Sequence, residues 1–261
     1  MEWYHYAIAI AGSAIAGAIN TLAGNGSAIT LTILTELLGL PGNVANGTNR
    51  VGVWTQSVAG AYAFYRNGKL HVRRSGTIIL STVVGALAGI IVAVYVSSEQ
   101  FMFVFRFLLV AMFVVILIKP KRWLRETDAS KTLSPWVSIP LFLVLGFYGG
   151  FIQMGMGVFF LAAMVLGARY SLIDSNAVKI AVVAIYTIAA LAIFQYRGLI
   201  DWPIGLLMAV GQTAGGYLTA HYASRYPQAN VWAHRVLVVV VILALVKLFN
   251  IPAFFATVGN F

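Results

Sequence analysis

Cysteine is missing from all 261 residues, which excludes disulfides, thiolate metal sites and a cysteine nucleophile. Charge is nearly as scarce. Charged residues make up 9% of the chain against 61% hydrophobic, far below the roughly 25% charged of a soluble protein. Only seven residues are acidic, and they form no paired-carboxylate site. Neither a His-Glu-x-x-His helix nor a Gly-x-Ser-x-Gly elbow occurs. The four histidines, His5, His71, His221 and His234, lack ligand spacing. These absences leave no foothold for enzyme chemistry, so a non-enzyme without cofactor or metal is expected. The first 22 residues lack a basic n-region and an A-x-A cleavage site, so they read as a mature helix and not a signal peptide.

What is present is apolar and long, and the class it defines is an all-α integral membrane protein. The net charge of +10 fits basic cytoplasmic loops of such a protein. No aromatic pattern of an RNA binder accompanies it, so nucleic acid is not expected as a partner.

Two glycine-broken stretches organise the chain. The first runs from Gly17 through Asn20, Thr21, Gly24, Asn25, Gly26 and Ser27. The second runs from Gly149 and Gly150 through Gln153, Gly155 and Gly157. Each lies within roughly 34 apolar residues, too many for one crossing of about 20. Glycine costs about 1 kcal/mol against alanine inside a helix, so each stretch predicts two helical arms joined by a break. In lipid, such backbone persists only when buried in protein or lining a cavity. A matching pair of breaks, one per half, points to a transport site.

In order, the sequence predicts arms over 4–22 and 27–38, then helices over 44–65, 75–96 and 101–118. A polar linker at 119–134 separates the halves. A second broken pair follows over 135–167, with helices over 175–196, 202–223 and 232–249. The plan repeats: Gly24 and Gly26 match Gly155 and Gly157 at a spacing of 131, as Tyr65-Arg66 matches Tyr196-Arg197. One residue, Asn67, then drops out, so that Gly68 matches Gly198 and Gly85 matches Gly215. The loops at 66–74 and 119–131 hold nine Lys and Arg, while 97–100 holds none, which places the basic loops in the cytoplasm. A broken pair that enters and leaves on one side, plus three crossings, is odd. The second half therefore inserts upside down. The expected fold is an inverted-topology repeat, with each half a broken helical hairpin plus three transmembrane helices. The first repeat is 1–118, the basic linker 119–134, and the second repeat 135–261.

With the repeat in hand, the sequence resembles the sulfite exporter TauE/SafE family. The residues that carry the likeness are Asn20-Thr21 leading into Gly24-Asn25-Gly26-Ser27, Leu40-Pro41, Ala45-Asn46-Gly47-Thr48-Asn49 and Tyr65-Arg66-Asn67-Gly68. Echoes follow at 146–157 and 196–198, although Val178-Lys179 stands where Gly-Thr is expected. The resemblance spans nearly the whole chain. It implies transport of small organosulfur or related anions, such as sulfite or sulfonates.

The candidate site residues follow from the breaks. A helix arm that starts at a break aims free N–H groups and a positive dipole end at the cavity, which makes an anion seat. Asn25, Gly26 and Ser27 form it in the first copy, with Asn20 and Thr21 one turn earlier. Gln153, Gly155 and Gly157 form it in the second. Glycines that merely permit close packing are the alternative. Arg50 and Lys179 are cations about five residues inside a crossing. Each either serves an anionic substrate or snorkels to the interface; Arg106 and Lys247 favour snorkelling. Thr48, Asn49 and Gln56, with Trp54, share the first full crossing of their half. Tyr186 and Thr187 share the corresponding crossing, with Gln212 and Thr213 on a later helix. At the 131 spacing Lys179 matches Thr48 and Thr187 matches Gln56. Gly85-x-x-x-Gly89 and Gly211-x-x-x-Gly215 predict close helix contacts.

The expected function is a secondary transporter, exporter or facilitator, of small anions by alternating access. Its setting is a bacterial-type inner membrane, which it crosses several times. Its partners are the anion and the lipid bilayer, and a homodimer stays open. An anion channel and a non-transporting scaffold are the alternatives. Glu36 is the one acid within a broken arm, so a carboxylate proton relay is thin and potential-driven export stands beside proton coupling.

Overall fold

The computed structural model describes residues 3–93, 95, 133–151, 153, 155–226, 228–229, 231–232, 235–236 and 238–239. The predicted helix at 101–118, with Arg106, lies outside them. So do nearly all of the linker at 119–134 and most of 232–249, with Lys247.

Eight helices are described, and no strand is found among the described residues. The first half holds α1 (Trp3–Leu22), α2 (Ser27–Leu37), α3 (Gly42–Arg66) and α4 (Val72–Ala93). The second holds α5 (Pro135–Phe151), α6 (Met156–Gly167), α7 (Leu172–Tyr196) and α8 (Trp202–Ala223). Among the described residues three helices are long and apolar enough to cross a membrane: Tyr4–Leu22, Ser75–Ala93 and Leu172–Tyr196.

Both predicted breaks are present, where Gly24 takes φ +76° and Gly155 takes φ +80°. At each the chain turns back on itself. A side chain at Gly12 would meet Ile33, and one at Gly26 would meet the Ala16 carbonyl, so α2 returns along α1. In the second pair Phe142 meets Phe160 edge-on at 5.4 Å, and Tyr148 meets Phe159 at 5.8 Å. Both return arms finish in a wide π turn, Ile33–Leu37 and Ala163–Gly167.

The succession of elements repeats, but its register departs from the sequence expectation. Only the breaks are offset by 131. From the π turns onward the displacement is 130: Gly42–Arg66 overlays Leu172–Tyr196 in order, and Val72–Ala93 overlays Trp202–Ala223. Left-handed residues keep the same step, Gly39 with Arg169 and Gly68 with Gly198. The missing residue therefore falls between the break and the π turn: Asn25 and Gly26 stand between Gly24 and the helix start at Ser27, nothing stands between Gly155 and Met156, and the second α-helical run, seven residues against six, recovers only one of the two. It is not at Asn67. Lys179 thus stands opposite Asn49 and Thr187 opposite Ser57, while Gln56 faces Tyr186 and Asn46 faces Asn176. The Tyr65-Arg66 match that hid this shift joins residues one place apart in the fold.

The exterior is apolar, and the interior combines hydrophobic clusters with many buried polar groups. Ile8, Ile15, Leu80, Ile91, Val144, Ile188 and Val210 are at least half exposed, whereas Thr21, Asn25, Asn49, Arg50, Gln56 and Lys179 are almost wholly buried. That inversion suits a lipid surround, where side chains need no water and polar groups must be satisfied internally. Helices α4 and α5 pack through glycine, as do α1 and α8. Gly85 and Gly89 rest on the carbonyls of Leu143 and Phe147, and Gly146 and Gly150 on those of Thr82 and Ala86. Gly211 and Gly215 rest on Ile10 and Ala14. Small residues let helix backbones approach this closely in lipid, so both predicted glycine spacings are packing seams.

Candidate functional site

The two breaks meet. A methyl group placed on Gly24 would lie 2.5 Å from the Cα of Gly157 and 2.9 Å from its carbonyl carbon. No side chain fits between them, so glycine at both positions follows from the contact as well as from the turn. Beside this junction is a small cavity of about 20 Å³ with a largely buried lining, formed by Asn20, Ser57, Gln153, Lys179, Val183 and Tyr186 among others. That is room for about one water molecule.

A break exposes two kinds of backbone end. The carbonyls that close a helix and the amides that open the next run short of helical partners, although the Asn20 carbonyl keeps the Gly24 amide at 3.1 Å. The two kinds are treated differently. Lys179 of α7 crosses to the other half and donates to the carbonyls of Asn20 at 2.9 Å and Thr21 at 3.2 Å. Its third donor reaches Asn176 Oδ1 at 2.6 Å, and Asn176 Nδ2 donates to the Leu22 carbonyl at 3.0 Å. The C-terminus of α1 is thus closed by a cation, which its negative dipole end favours. Arg50 of α3 does the reciprocal: Nη2 donates to the Gly150 carbonyl of α5 at 3.4 Å, with Phe194 stacked 4.8 Å beneath the guanidinium. Neither cation snorkels, since Arg50 is 0% and Lys179 2% exposed.

The amide ends are closed only locally: the Ala28 amide donates to the Asn25 carbonyl at 3.2 Å, Met156 to Gln153 at 3.4 Å and Val158 to Gly155 at 3.1 Å. The N-cap positions, Gly26 and Gly155, make no side-chain cap. Buried polar groups around the breaks are likewise unpartnered: both amide atoms of Asn25 and Gln153, Arg50 Nε and Nη1, and the hydroxyls of Ser57, Tyr186 and Thr187. Buried polar groups in folded proteins are nearly always bonded, so this concentration is a property of the site. Gln153 also holds φ +57°, a left-handed conformation uncommon outside glycine.

The remaining candidates divide. Asn20 Nδ2 donates to Gln56 Oε1 at 3.3 Å, and Gln56 Nε2 to Thr21 Oγ1 at 3.3 Å. This chain ties α3 to the first break. Asn49 Oδ1 accepts from Thr30 Oγ1 at 2.6 Å and from Gln212 Nε2 at 3.5 Å, fixing α2 and α8 to α3. Thr213 Oγ1 donates to Thr55 Oγ1 at 2.8 Å. Ser27 is buried at the start of α2. Thr48 lies apart: its hydroxyl accepts from the amide of Asp201 at 2.9 Å, at the start of α8. Ser57 and Asn176 were not among the residues picked out from the sequence. The available signal for Ser57 was spacing, since Arg50, Trp54 and Ser57 fall at i, i+4 and i+7 of α3, one face of a helix.

An apolar exterior, helices of membrane-crossing length and two interrupted helices joined at a buried polar centre define a membrane transport protein. A family model described as sulfite exporter TauE/SafE matches residues 9–248, and the chain belongs to that family. It is 27% identical over 210 residues to a Sinorhizobium protein named probable membrane transporter protein ORF9, covering 80% of this chain and 79% of that one. It is 27% identical over 208 residues to a probable membrane transporter protein of Haemophilus influenzae, covering 79% and 80%. YdhB of Bacillus subtilis, also named a probable membrane transporter protein, is 20% identical over 205 residues, covering 78% and 84%. No solved structure matches the chain.

Proposed function

We propose that the protein is a secondary transporter, exporter or facilitator, of small organosulfur or related anions, sulfite and sulfonates among them. Access alternates about the Gly24–Gly157 junction. The observation that carries this reading is that junction itself, ringed by buried donors without partners. The substrate's oxygens accept from the amides near Asn25–Ser27 and from those side chains; at the second break, where the Met156 and Val158 amides already bond within their turn, the Gln153 amide group takes that part. Repeat 1–118 and repeat 135–261 insert in opposite senses and rock about the junction, with the basic linker 119–134 in the cytoplasm. The setting is a bacterial-type inner membrane, crossed several times; the partners are the anion and the lipid, and the mechanism needs one copy only. The cavity of about 20 Å³, too small for the anion as it stands, supports a carrier over a standing channel.

The test is flux into liposomes bearing the purified protein, over sulfonates, carboxylates and inorganic anions. Saturable flux with trans-stimulation is expected. Flux that neither saturates nor shows counterflow favours the channel, and no anion-selective flux across the whole panel defeats the transport reading.

A further inference from the structure

The two buried cations look alike in sequence and are unlike in the structure. An ammonium has three N–H donors, and Lys179 has three acceptors within 3.2 Å, two of them carbonyls at the negative end of α1. Its hydrogen-bonding capacity is filled. A guanidinium has five N–H donors. Arg50 makes one long bond, at 3.4 Å, while Nε and Nη1 are buried and unpartnered. No described carboxylate forms an ion pair with it. An unpaired buried charge is among the costliest features a membrane interior can hold, and it marks function by default.

The groups around Arg50 extend the point. Ser57 lies two turns along the same face of α3. Helix α7, packed against α3, brings Tyr186 beside both; Tyr186 is also the ionisable neighbour of Arg50. The Ser57 and Tyr186 hydroxyls line the cavity at the breaks, each 1% exposed and each without a partner. Apart from the side-chain carbonyl oxygens of Asn25 and Gln153, the free groups here can all donate, and one of them carries a full positive charge.

We infer that Arg50, with the hydroxyls of Ser57 and Tyr186, is the anion-binding subsite, that Lys179 is a positioning residue for α1, and that the site is matched to a singly charged oxyanion. This rests on the transport reading above. The charge count decides the valence. With Lys179 engaged by α1, one cation is available, and a second negative charge on the ligand would be buried uncompensated. The cavity of about 20 Å³ admits no polyatomic anion, so loading accompanies separation of the elements that close it.

The experiment measures methanesulfonate, a fixed monoanion, entering proteoliposomes, with ethanesulfonate or sulfate as competitor. Ethanesulfonate is expected to compete at least about tenfold better than sulfate. Ser57→Ala and Tyr186→Phe are each expected to raise KM about tenfold at little change in maximal rate, the loss expected for a hydrogen bond to a charged group. Arg50→Gln abolishes saturable flux, and Arg50→Lys restores part of it. Where Arg50→Gln does not insert, the two hydroxyl variants carry the test. Sulfate competing as well as ethanesulfonate, or both hydroxyl variants leaving KM within twofold, overturns the inference while the transport reading stands. Wild-type flux no faster than in empty liposomes, for this and every other anion of the panel, overturns both.

Discussion

Gly157→Ala separates two accounts of the second break that predict opposite signs. If the glycine only interrupts a helix, alanine should help, because Gly157 is already the second residue of α6 and alanine is favoured there by about 1 kcal/mol. The geometry argues otherwise. The new methyl would meet the Cα of Gly24, its carbonyl oxygen at 2.8 Å and its carbonyl carbon at 3.0 Å. These are backbone atoms of an element anchored by Lys179 and Asn176, so they cannot rotate aside. Overpacking of this kind costs about 1–3 kcal/mol, and the upper part of that range applies against backbone. After the propensity gain, the state in which the breaks touch should lose about 1–2 kcal/mol, a population shift of about 5- to 30-fold.

The chain has no cysteine, so one can be introduced as a reporter without a background. Ser57→Cys puts a thiol at a buried position lining the small cavity. In liposomes, adding Gly157→Ala should raise its labelling rate by a small thiol reagent several-fold and lower the melting temperature. Labelling that is unchanged or slower, with a melting temperature equal or higher, would refute the claim that the two halves close by contact between Gly24 and Gly157.

Three further outcomes follow from the same coordinates. Lys179→Met leaves the Thr21 carbonyl and Asn176 Oδ1 without their donor and the Asn20 carbonyl with the Gly24 amide alone; stability in detergent should fall by about 3–5 kcal/mol, as when one side of a buried charged contact is removed, and Lys179→Arg should recover part of it in thermal unfolding. Thr48→Val removes the acceptor for the Asp201 amide and should cost about 1–3 kcal/mol, the penalty of a buried donor left unmade, read as a lowered melting temperature. Gly85→Leu drives a side chain into the Leu143 carbonyl and should disrupt the α4–α5 seam, seen as loss of a monodisperse peak after extraction.

The breaks were legible because two local rules clash there: a long apolar stretch asks for helix, and Gly-x-Gly refuses it. The glycine seams were legible for a similar reason, since spacing of four on an apolar helix has few other uses. The register was not. Helices α3 and α7 sit largely in the interior and show little periodicity, so sliding one by a residue changes no pattern. The Tyr65-Arg66 match then fixed the wrong phase across the helix. The partners of Arg50 and Lys179 were out of reach for a different reason: they are backbone carbonyls, 100 residues away for Arg50 and up to 159 for Lys179. Every residue owns a carbonyl, so no side-chain chemistry advertises which one will be bare. Ser57 was invisible singly, because a serine on a membrane helix commonly bonds its own preceding turn, and only the structure shows that this one does not.

The unequal treatment of the two backbone ends is what separates a transport site from a structural kink. Interrupting a helix creates a negative and a positive pole at one place. A kink with no task would be expected to cover both, and the chain shows that it has the means. It covers the carbonyl ends with the costliest groups available, a lysine and an arginine buried in the interior, each delivered from the opposite half. The amide ends receive no side chain, although Asn25 and Gln153 lie beside them with free amide groups; the amides of Ala28, Met156 and Val158 bond only to carbonyls of their own turns. The negative poles are thus masked from across the molecule, and the positive poles only locally. Because each mask comes from the other half, drawing the halves apart would unmask the carbonyls as it opens the cavity and weaken the hold on an anion there. The transport reading proposed above needs such a link between closure and affinity.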